Sequence, residues 1–454
     1  MLSMRRLAVR SGRHAWSAGF RQSRARCKST MALPEHHLNN SAVVGSPSWV
    51  QPHSTPLPRA VGFWLLGMGG LVAGMVTVGG ITRLTRSGLS MTDWKLQGSL
   101  PPLTQSDWER EFARYKLFPE WQQRQSMTLD EFKFIYFWEY GHRMMGRFIG
   151  VAFTVPLVYF GARGMIPRSS WPRMALLFSL GGGQGLIGWW MVKSGLSLEQ
   201  GTDPAQHKEI RVSPYRLATH LGMAFTTYTA LLWTALGAFN PPARAAESAA
   251  AIVRATPSAA AAGAVLHQAL SLRRWAVLNG ALVATTIISG AFVAGNDAGR
   301  AFNTFPLDGT PWMDGQWVPQ EVLEMQPAWR NFFENTATVQ LDHRVLAVTT
   351  LGSVTGMYAL ARGAGQGAVW AALPVGSRHA LHATVGMVYA QAGLGIATLL
   401  LYVPIPLAAV HQFGSLALLT FITALTHSLN FSKAGKVVQA AAAASAVVKK
   451  AATA

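Results

Sequence analysis

Four histidines in apolar stretches are the residues of this sequence whose types and spacing could do chemistry. The first, His142, follows Glu139 and precedes Arg143 inside FIYFWEYGHRMMGRFIGVAFTVPLVYF, a run long enough to cross a membrane. The other three histidines lie in further apolar runs: His220, His343 and His411. Ionisable side chains are costly to place in lipid and usually mark a functional site. The pattern therefore predicts a site inside a membrane.

The chemistry that four such histidines suit is iron ligation from both faces of a flat macrocycle. A single intramembrane histidine is more often a hydrogen-bonded packing residue, but these four are predicted at one depth, about 10–17 Å into their helices at the α-helical rise. Two imidazoles from facing helices can hold a bis-histidine haem, which needs no cysteine and no carboxylate. Zinc is disfavoured because no cysteine or second histidine stands nearby at helical ligand spacing.

Glu139 distinguishes the first pair of histidines from the second. It lies three residues before His142, on the same helical face, whereas the corresponding residue before His343 is Gln340. A carboxylate can move protons near a substrate, and its structural alternatives are to orient His142 or to receive an arginine. This asymmetry predicts one half that reacts and one half that holds a permanent redox cofactor.

Arg143 and Arg344 directly follow two of the histidines and are candidate partners for haem propionates. Guanidinium binds carboxylates through two parallel hydrogen bonds. The alternative is that both side chains reach out to the membrane interface. The glycine-rich stretches 181–188 and 393–397 could let a flat group approach the backbone, although tight helix packing in lipid is the favoured interpretation.

Composition predicts the elements that position these residues. Half of the 454 residues are hydrophobic and 13% are charged, which is typical of an all-α polytopic membrane protein in a lipid bilayer. Apolar runs of spanning length predict eight transmembrane helices, near residues 60–80, 131–162, 171–193, 214–239, 273–294, 335–362, 378–402 and 405–430.

The eight helices are predicted to form two tandem parallel four-helix-bundle repeats. GHRMMGR around His142 resembles DHRVLAV around His343, and ATHLGMAF around His220 resembles AVHQFGSL around His411. Four spans per copy insert both copies in the same direction. We expect four-helix units at 60–239 and 273–430, joined by an Ala/Pro-rich linker, 240–272, with little to build a core from.

The net charge of +19 resembles that of a nucleic-acid-binding protein, but eight of the positive charges lie in residues 1–30, and this distribution argues against nucleic-acid binding. Residues 1–34 are rich in arginine and serine, carry no acid and contain the only cysteine, Cys27, so they predict a mitochondrial transit peptide. Basic residues in alternate loops place both termini in the matrix. The segments 35–59 and 431–454 are then an N-terminal matrix segment and a C-terminal matrix tail.

The motifs together resemble those of the mitochondrial haem A synthase family of cytochrome c oxidase assembly proteins. The resemblance runs from about Arg59 to Asn430 and rests on six motifs: GGITRLTRSGLSMTDW, EFKFIYFWEYGHRMMGR, AGNDAGRAFNTFPL, ENTATVQLDHR, VPIPLAAVHQFG, and PPL with PEW in the first long loop. It implies oxidation of the C8 methyl group of haem O to a formyl group by successive hydroxylations, giving haem A.

The resemblance also implies roles for the site residues and partners. His343 and His411 would ligate a resident haem b, His142 and His220 would flank the substrate haem O, and Glu139 would be the essential acid. It implies a ferredoxin as electron donor, haem O synthase (a farnesyltransferase) as upstream partner and the mitochondrial inner membrane as location. Whether the chain forms a homo-oligomer is left open.

Two other functions are compatible with the pattern. A bis-histidine electron-transfer cytochrome would use both histidine pairs for permanent haem b. A transporter is favoured generically by internal duplication and by charges inside the membrane, and parallel repeats weaken it only mildly. The haem content of the purified protein separates the three.

Overall fold

The structure is a computed structural model that describes residues 55–196, 210–306, 308–310, 313–363 and 367–433. All described residues belong to one compact unit. The predicted transit peptide, residues 1–34, lies outside the described residues. So do most of the predicted N-terminal matrix segment and C-terminal matrix tail.

Long helices dominate the described chain. The first half contains α1 (Arg59–Leu84), α2 (Gln105–Tyr115), α3 (Leu129–Ala162), α4 (Trp171–Leu196) and α5 (Pro214–Phe239). It is followed by α6 (Pro242–Ala255), α7 (Ala259–Asn296), α8 (Ala298–Ala301), α9 (Asn331–Glu334), α10 (Thr336–Arg362), α11 (Gly367–Ala372), α12 (Val375–Leu400) and α13 (Ile405–Ser428). A short antiparallel pair, β1 (Asp308–Thr310) and β2 (Met313–Gln316), interrupts the loop before α9.

Within the described residues, seven helices are long and apolar enough to cross a membrane: α1, α3, α4, α7, α10, α12 and α13. The prediction of an all-α polytopic membrane protein is therefore confirmed. The eighth predicted span coincides with α5, which has the length of a span but carries five threonines along with arginine and histidine. Because α5 packs against α1, α4, α7 and α13, it can be less apolar than a lipid-facing helix. Its membrane crossing stays a prediction.

The segment 240–272 differs from the coreless linker that its composition suggested. Most of it is helical, as α6 and the first turns of α7, and Ser258 caps α7 by accepting a hydrogen bond from the Ala261 amide at 3.1 Å. Buried Ala249, Ile252 and Leu266 join the main hydrophobic core. The expectation was wrong because alanine has the highest helix propensity and its small side chain packs closely.

Two loops begin in the same way after the first helix of each half. Arg86 follows α1 with a φ of 56°, and Asp297 follows α7 with a φ of 51°, both in the left-handed region. Asp297 also bridges the halves, since its carboxylate contacts Arg83 at 3.2 Å and Arg211 at 3.1 Å. These similarities favour the predicted duplication.

Candidate functional site

Each of the four histidines lies against a glycine of the preceding long helix. A Cβ atom built on that glycine would stand between 2.9 and 3.2 Å from Cε1 of the imidazole ring. The pairs are Gly79 with His142, Gly188 with His220, Gly290 with His343, and Gly395 with His411. A larger residue at any of these four glycines would have to displace the imidazole ring, because protein interiors are close-packed. The same ring-on-backbone contact therefore occurs four times.

The two histidines of each half lie near one another. His142 and His220 lie close enough to interact electrostatically, and so do His343 and His411. All four histidines are intermediate in exposure, neither fully buried nor fully exposed. The described part of the chain contains no group of three or more His, Cys, Asp or Glu that could hold a metal ion. Two imidazoles per half fit an iron whose other four ligands come from a porphyrin.

Neighbouring polar side chains contact the second ring nitrogen of both histidines in the second half. Ser289 Oγ lies 2.7 Å from His343 Nδ1. Gln391 Nε2 lies 3.1 Å from His411 Nδ1 and donates to the His411 carbonyl at 2.7 Å. The serine hydroxyl can accept from Nδ1–H, which leaves Nε2 of His343 available for a metal, whereas the amide N–H of Gln391 can only donate and therefore serves to fix the orientation of the His411 ring.

The first half repeats only one of these contacts. Gln184 donates to the His220 carbonyl at 3.3 Å, and its amide also lies 3.3 Å from His220 Nδ1. His142 Nδ1 is buried and has no hydrogen-bond partner in the described part of the chain. Sequence reasoning missed both glutamines, although one signal was present: each precedes its glycine by four residues, in QGLIG and QAGLG.

Glu139 is buried in α3, with 3% of its surface exposed, and is paired with an arginine. Arg143 Nε lies 2.5 Å from Glu139 Oε1. The same guanidinium donates to the carbonyls of Asp93 at 2.8 Å and Met91 at 2.9 Å. Of the structural alternatives for this carboxylate, the arginine pairing is thus present. Arg143 also fastens the loop after α1 onto α3.

The second half holds its corresponding loop through Arg344 in a similar way. Arg344 Nη2 donates to the carbonyls of Phe302 at 3.0 Å and Thr304 at 2.6 Å. Gln340 occupies the position that corresponds to Glu139, and its amide donates to Phe302 O at 3.3 Å. Both arginines therefore bind two carbonyls spaced two residues apart, and the position four residues before the arginine is an acid, Glu139, in the first half and an amide, Gln340, in the second.

An aromatic cluster supports the N-terminal end of α3. Tyr115 from α2 and Phe132 from α3 are fully buried in it, with ring centroids 5.3 Å apart. The Tyr115 hydroxyl donates to Glu120 Oε2 at 3.1 Å, and burial raises the pKa of the Glu120 carboxyl above its ordinary value. The cluster anchors the loop region to the helix that carries Glu139.

The fold defines a class, the all-α polytopic membrane proteins, and in this chain each half carries two histidines on helices that pack together. Residues 62–423 match the family described as "Cytochrome oxidase assembly protein". The chain belongs to that family, which confirms the resemblance that the motifs indicated.

Individual relatives agree with the family match. The chain is 48% identical to "Heme A synthase COX15" of Arabidopsis thaliana over 372 residues, 81% of this chain and 74% of that protein. It is 46% identical to "Heme A synthase COX15" of Homo sapiens over 364 residues, 80% of each. It is 40% identical to the "Heme A synthase-mitochondrial ferredoxin fusion protein" of Schizosaccharomyces pombe over 413 residues, 87% of this chain and 64% of that protein.

Proposed function

We propose that this chain makes haem A for cytochrome c oxidase assembly by oxidising the C8 methyl group of haem O to a formyl group through successive hydroxylations. The names of its relatives support haem A as the product, and the family supports its use in cytochrome oxidase assembly. One observation carries the proposal: two histidine pairs with nearly the same glycine contacts, of which only the first has a buried carboxylate one turn away. Two histidine pairs that are held alike, one of them beside a carboxylate, suit one substrate site and one cofactor site.

The two histidine pairs have separate roles in this proposal. His343 and His411 would hold a resident haem b, which would relay single electrons when bound. His142 and His220 flank haem O in the first half. The polar contacts at Nδ1 of His343 and His411 support permanent ligation in the second half, because they hold each ring in one orientation.

Glu139 is the proton-handling group of the first half. Arg143 Nε holds Oε1, and the two loop carbonyls hold the rest of the guanidinium, so the carboxylate is fixed on the α3 face that carries His142. We assign proton transfer to the other oxygen, Oε2. Burial away from water limits proton exchange with the solvent and keeps this carboxyl available to the substrate.

Arg143 and Arg344 remain candidate partners for the propionates. A guanidinium has five N–H donors. Arg143 uses three of its nitrogen atoms on Glu139 and on two loop carbonyls. Propionate binding would therefore draw on donors beyond those contacts, at the outer edge of the site.

The proposed setting is the mitochondrial inner membrane, crossed several times, with both termini in the matrix. A ferredoxin is the proposed electron donor, and the fusion of the two activities named in the Schizosaccharomyces pombe relative supports it. The substrate, haem O, would come from haem O synthase, a farnesyltransferase. An assembly of several copies of the chain is compatible with this function.

The test supplies the purified protein with haem O, reduced ferredoxin and dioxygen, and follows the extracted haem by mass spectrometry. The parent chain should yield haem A. Glu139→Gln should retain bound haem yet form no formyl product, whereas Asp130→Asn, an exposed acid on the same helix, should behave as the parent. Normal haem A formation by Glu139→Gln would overturn the role of Glu139, and no conversion by the parent would overturn the proposed reaction.

A further inference from the structure

Ser289 determines which nitrogen of His343 carries the proton. Its hydroxyl donates to the Thr286 carbonyl at 2.8 Å and lies 2.7 Å from His343 Nδ1. A hydroxyl has one hydrogen and two lone pairs, so an oxygen that gives its hydrogen to Thr286 can only accept from Nδ1–H. His343 is therefore held with Nδ1 protonated and Nε2 unprotonated, the form that can ligate iron.

The first half has the same helix contact without the hydroxyl. Ser289 directly precedes Gly290, and Val78 directly precedes Gly79, the glycine that touches His142. Valine offers no acceptor, and His142 Nδ1 has no hydrogen-bond partner among the residues that the structure describes. Ring and glycine are spaced alike in both halves, with Cε1 at 3.1 Å from the built Cβ on Gly290 and at 2.9 Å on Gly79. The hydroxyl of Ser289 is thus one difference between the surroundings of the two rings.

His220 and His411 do not differ from each other in this way. The amides of Gln184 and Gln391 both lie beside Nδ1 of their histidine, at 3.3 and 3.1 Å. The asymmetry between the halves is therefore confined to the histidine of the second long helix in each. His142 is the least constrained of the four rings.

We propose that Ser289 is a positioning residue that makes the second-half haem permanent, and that Val78 keeps the first-half haem exchangeable. The inference rests on the proposed function, since that reaction needs a substrate haem that arrives and a product haem that leaves. A hydrogen bond from Nδ1 raises the basicity of the ligand and fixes its orientation, and removing such a contact typically costs about 10- to 100-fold in metal affinity. One hydroxyl is thus sufficient to separate a cofactor site from a substrate site.

The experiment measures haem release from the purified full chain to apomyoglobin, together with the midpoint potential of the low-spin haem. Ser289→Ala should release the retained haem roughly 10-fold faster or more and should raise its midpoint potential, because a less basic imidazole stabilises ferric iron less. Ser289→Thr keeps the hydroxyl and should restore both properties. A loss of packing alone would not be rescued in this way.

The reciprocal variant tests the first half. Val78→Ser places a hydroxyl beside His142 and should slow haem release from that half about 10-fold or more, whereas Val78→Ala, which also shortens the side chain, should not. The inference is overturned if Ser289→Ala matches the parent in both release rate and potential, or if Val78→Ser releases haem as Val78→Ala does. A parent chain purified without any haem would instead overturn the proposed function.

Discussion

Arg143 Nε lies 2.5 Å from Oε1 of Glu139, one helical turn away in a helix that crosses the membrane. Both side chains are nearly buried, with 10% and 4% of their surfaces exposed. The pair brings a carboxylate into an apolar environment without leaving its charge uncompensated. At the same time it fixes the loop after α1 through the carbonyls of Met91 and Asp93.

Removing the arginine from this pair should destabilise the protein strongly. Arg143→Ala leaves a buried carboxylate unpaired, which costs about 3–5 kcal/mol in the free energy of unfolding. Adding Glu139→Gln to Arg143→Ala should recover part of that loss, because no charge then remains buried. Thermal unfolding of the detergent-solubilised variants measures both effects. A double variant that loses the full sum of the single losses would contradict the pairing.

The glycine contacts predict a pair of variants with opposite outcomes on one helix. A Cβ on Gly395 would stand 2.9 Å from His411 Cε1, whereas a Cβ on Gly393 would meet nothing within 4 Å. Gly395→Ala should therefore push the ring aside, alter the absorption of the low-spin haem and cost roughly 1–3 kcal/mol through overpacking. Gly393→Ala should leave the spectrum unchanged. Equal spectra for both variants would show that the His411 ring is not held by this contact.

Histidine variants can distinguish the residues proposed to hold the resident haem from those proposed to flank haem O. His343→Ala or His411→Ala should abolish the low-spin spectrum of the retained haem, since a bis-histidine site needs both imidazoles. His142→Ala should leave that spectrum in place and reduce the binding of added haem O. Optical spectra of purified variants measure the first effect, and titration with haem O measures the second. An unchanged low-spin spectrum in His343→Ala would mean that the resident site is elsewhere.

Glu120 makes the stability of the loop region depend on pH. Burial raises the pKa of its carboxyl, so the folded protein favours the protonated form. The stabilising contribution is complete below the ordinary pKa of the group and is lost as the pH rises through the raised value. Glu120→Gln, which stays neutral, should therefore gain in unfolding temperature relative to the parent as the pH rises through the raised pKa of the Glu120 carboxyl.

Tryptophan fluorescence follows this transition, because Trp121 packs edge-on against Phe112, with ring centroids 5.6 Å apart, inside the same cluster. The exposed Glu324→Gln is the control and should track the parent at every pH. A difference between Glu120→Gln and the parent that shrinks as the pH rises would reverse the sign and contradict the account.

Most of the long helices could be predicted from the sequence, because the length of an apolar run depends on the thickness of the bilayer and not on the details of helix packing. The four histidines and Glu139 were also predictable, since ionisable groups stand out in such runs. The helices of 240–272 were not anticipated, because an alanine-rich composition suits both a linker and a closely packed helix. The contact of Ser289 with His343 joins residues on two helices, and nothing in the local pattern distinguishes this serine from one that bonds only to its own backbone.

The arginines illustrate the same limit. Their position after His142 and His343 indicated a carboxylate or an interface as partner. The structure shows that Arg143 and Arg344 also bind the loop carbonyls, which no spacing rule could have indicated because the loops approach only when the bundle is folded. The hydrogen bonds between these arginines and the loop carbonyls could therefore not be predicted from the motifs.

The haem content of the purified parent protein tests the central claim most directly. Pyridine-haemochrome spectra and mass spectrometry of extracted haem, taken before and after treatment with apomyoglobin, count the haems of each kind per chain. The account predicts one haem b that resists transfer, together with exchangeable haem O or haem A. Two haem b groups that both resist transfer, with no haem O or haem A, would contradict it and favour a bis-histidine electron-transfer cytochrome.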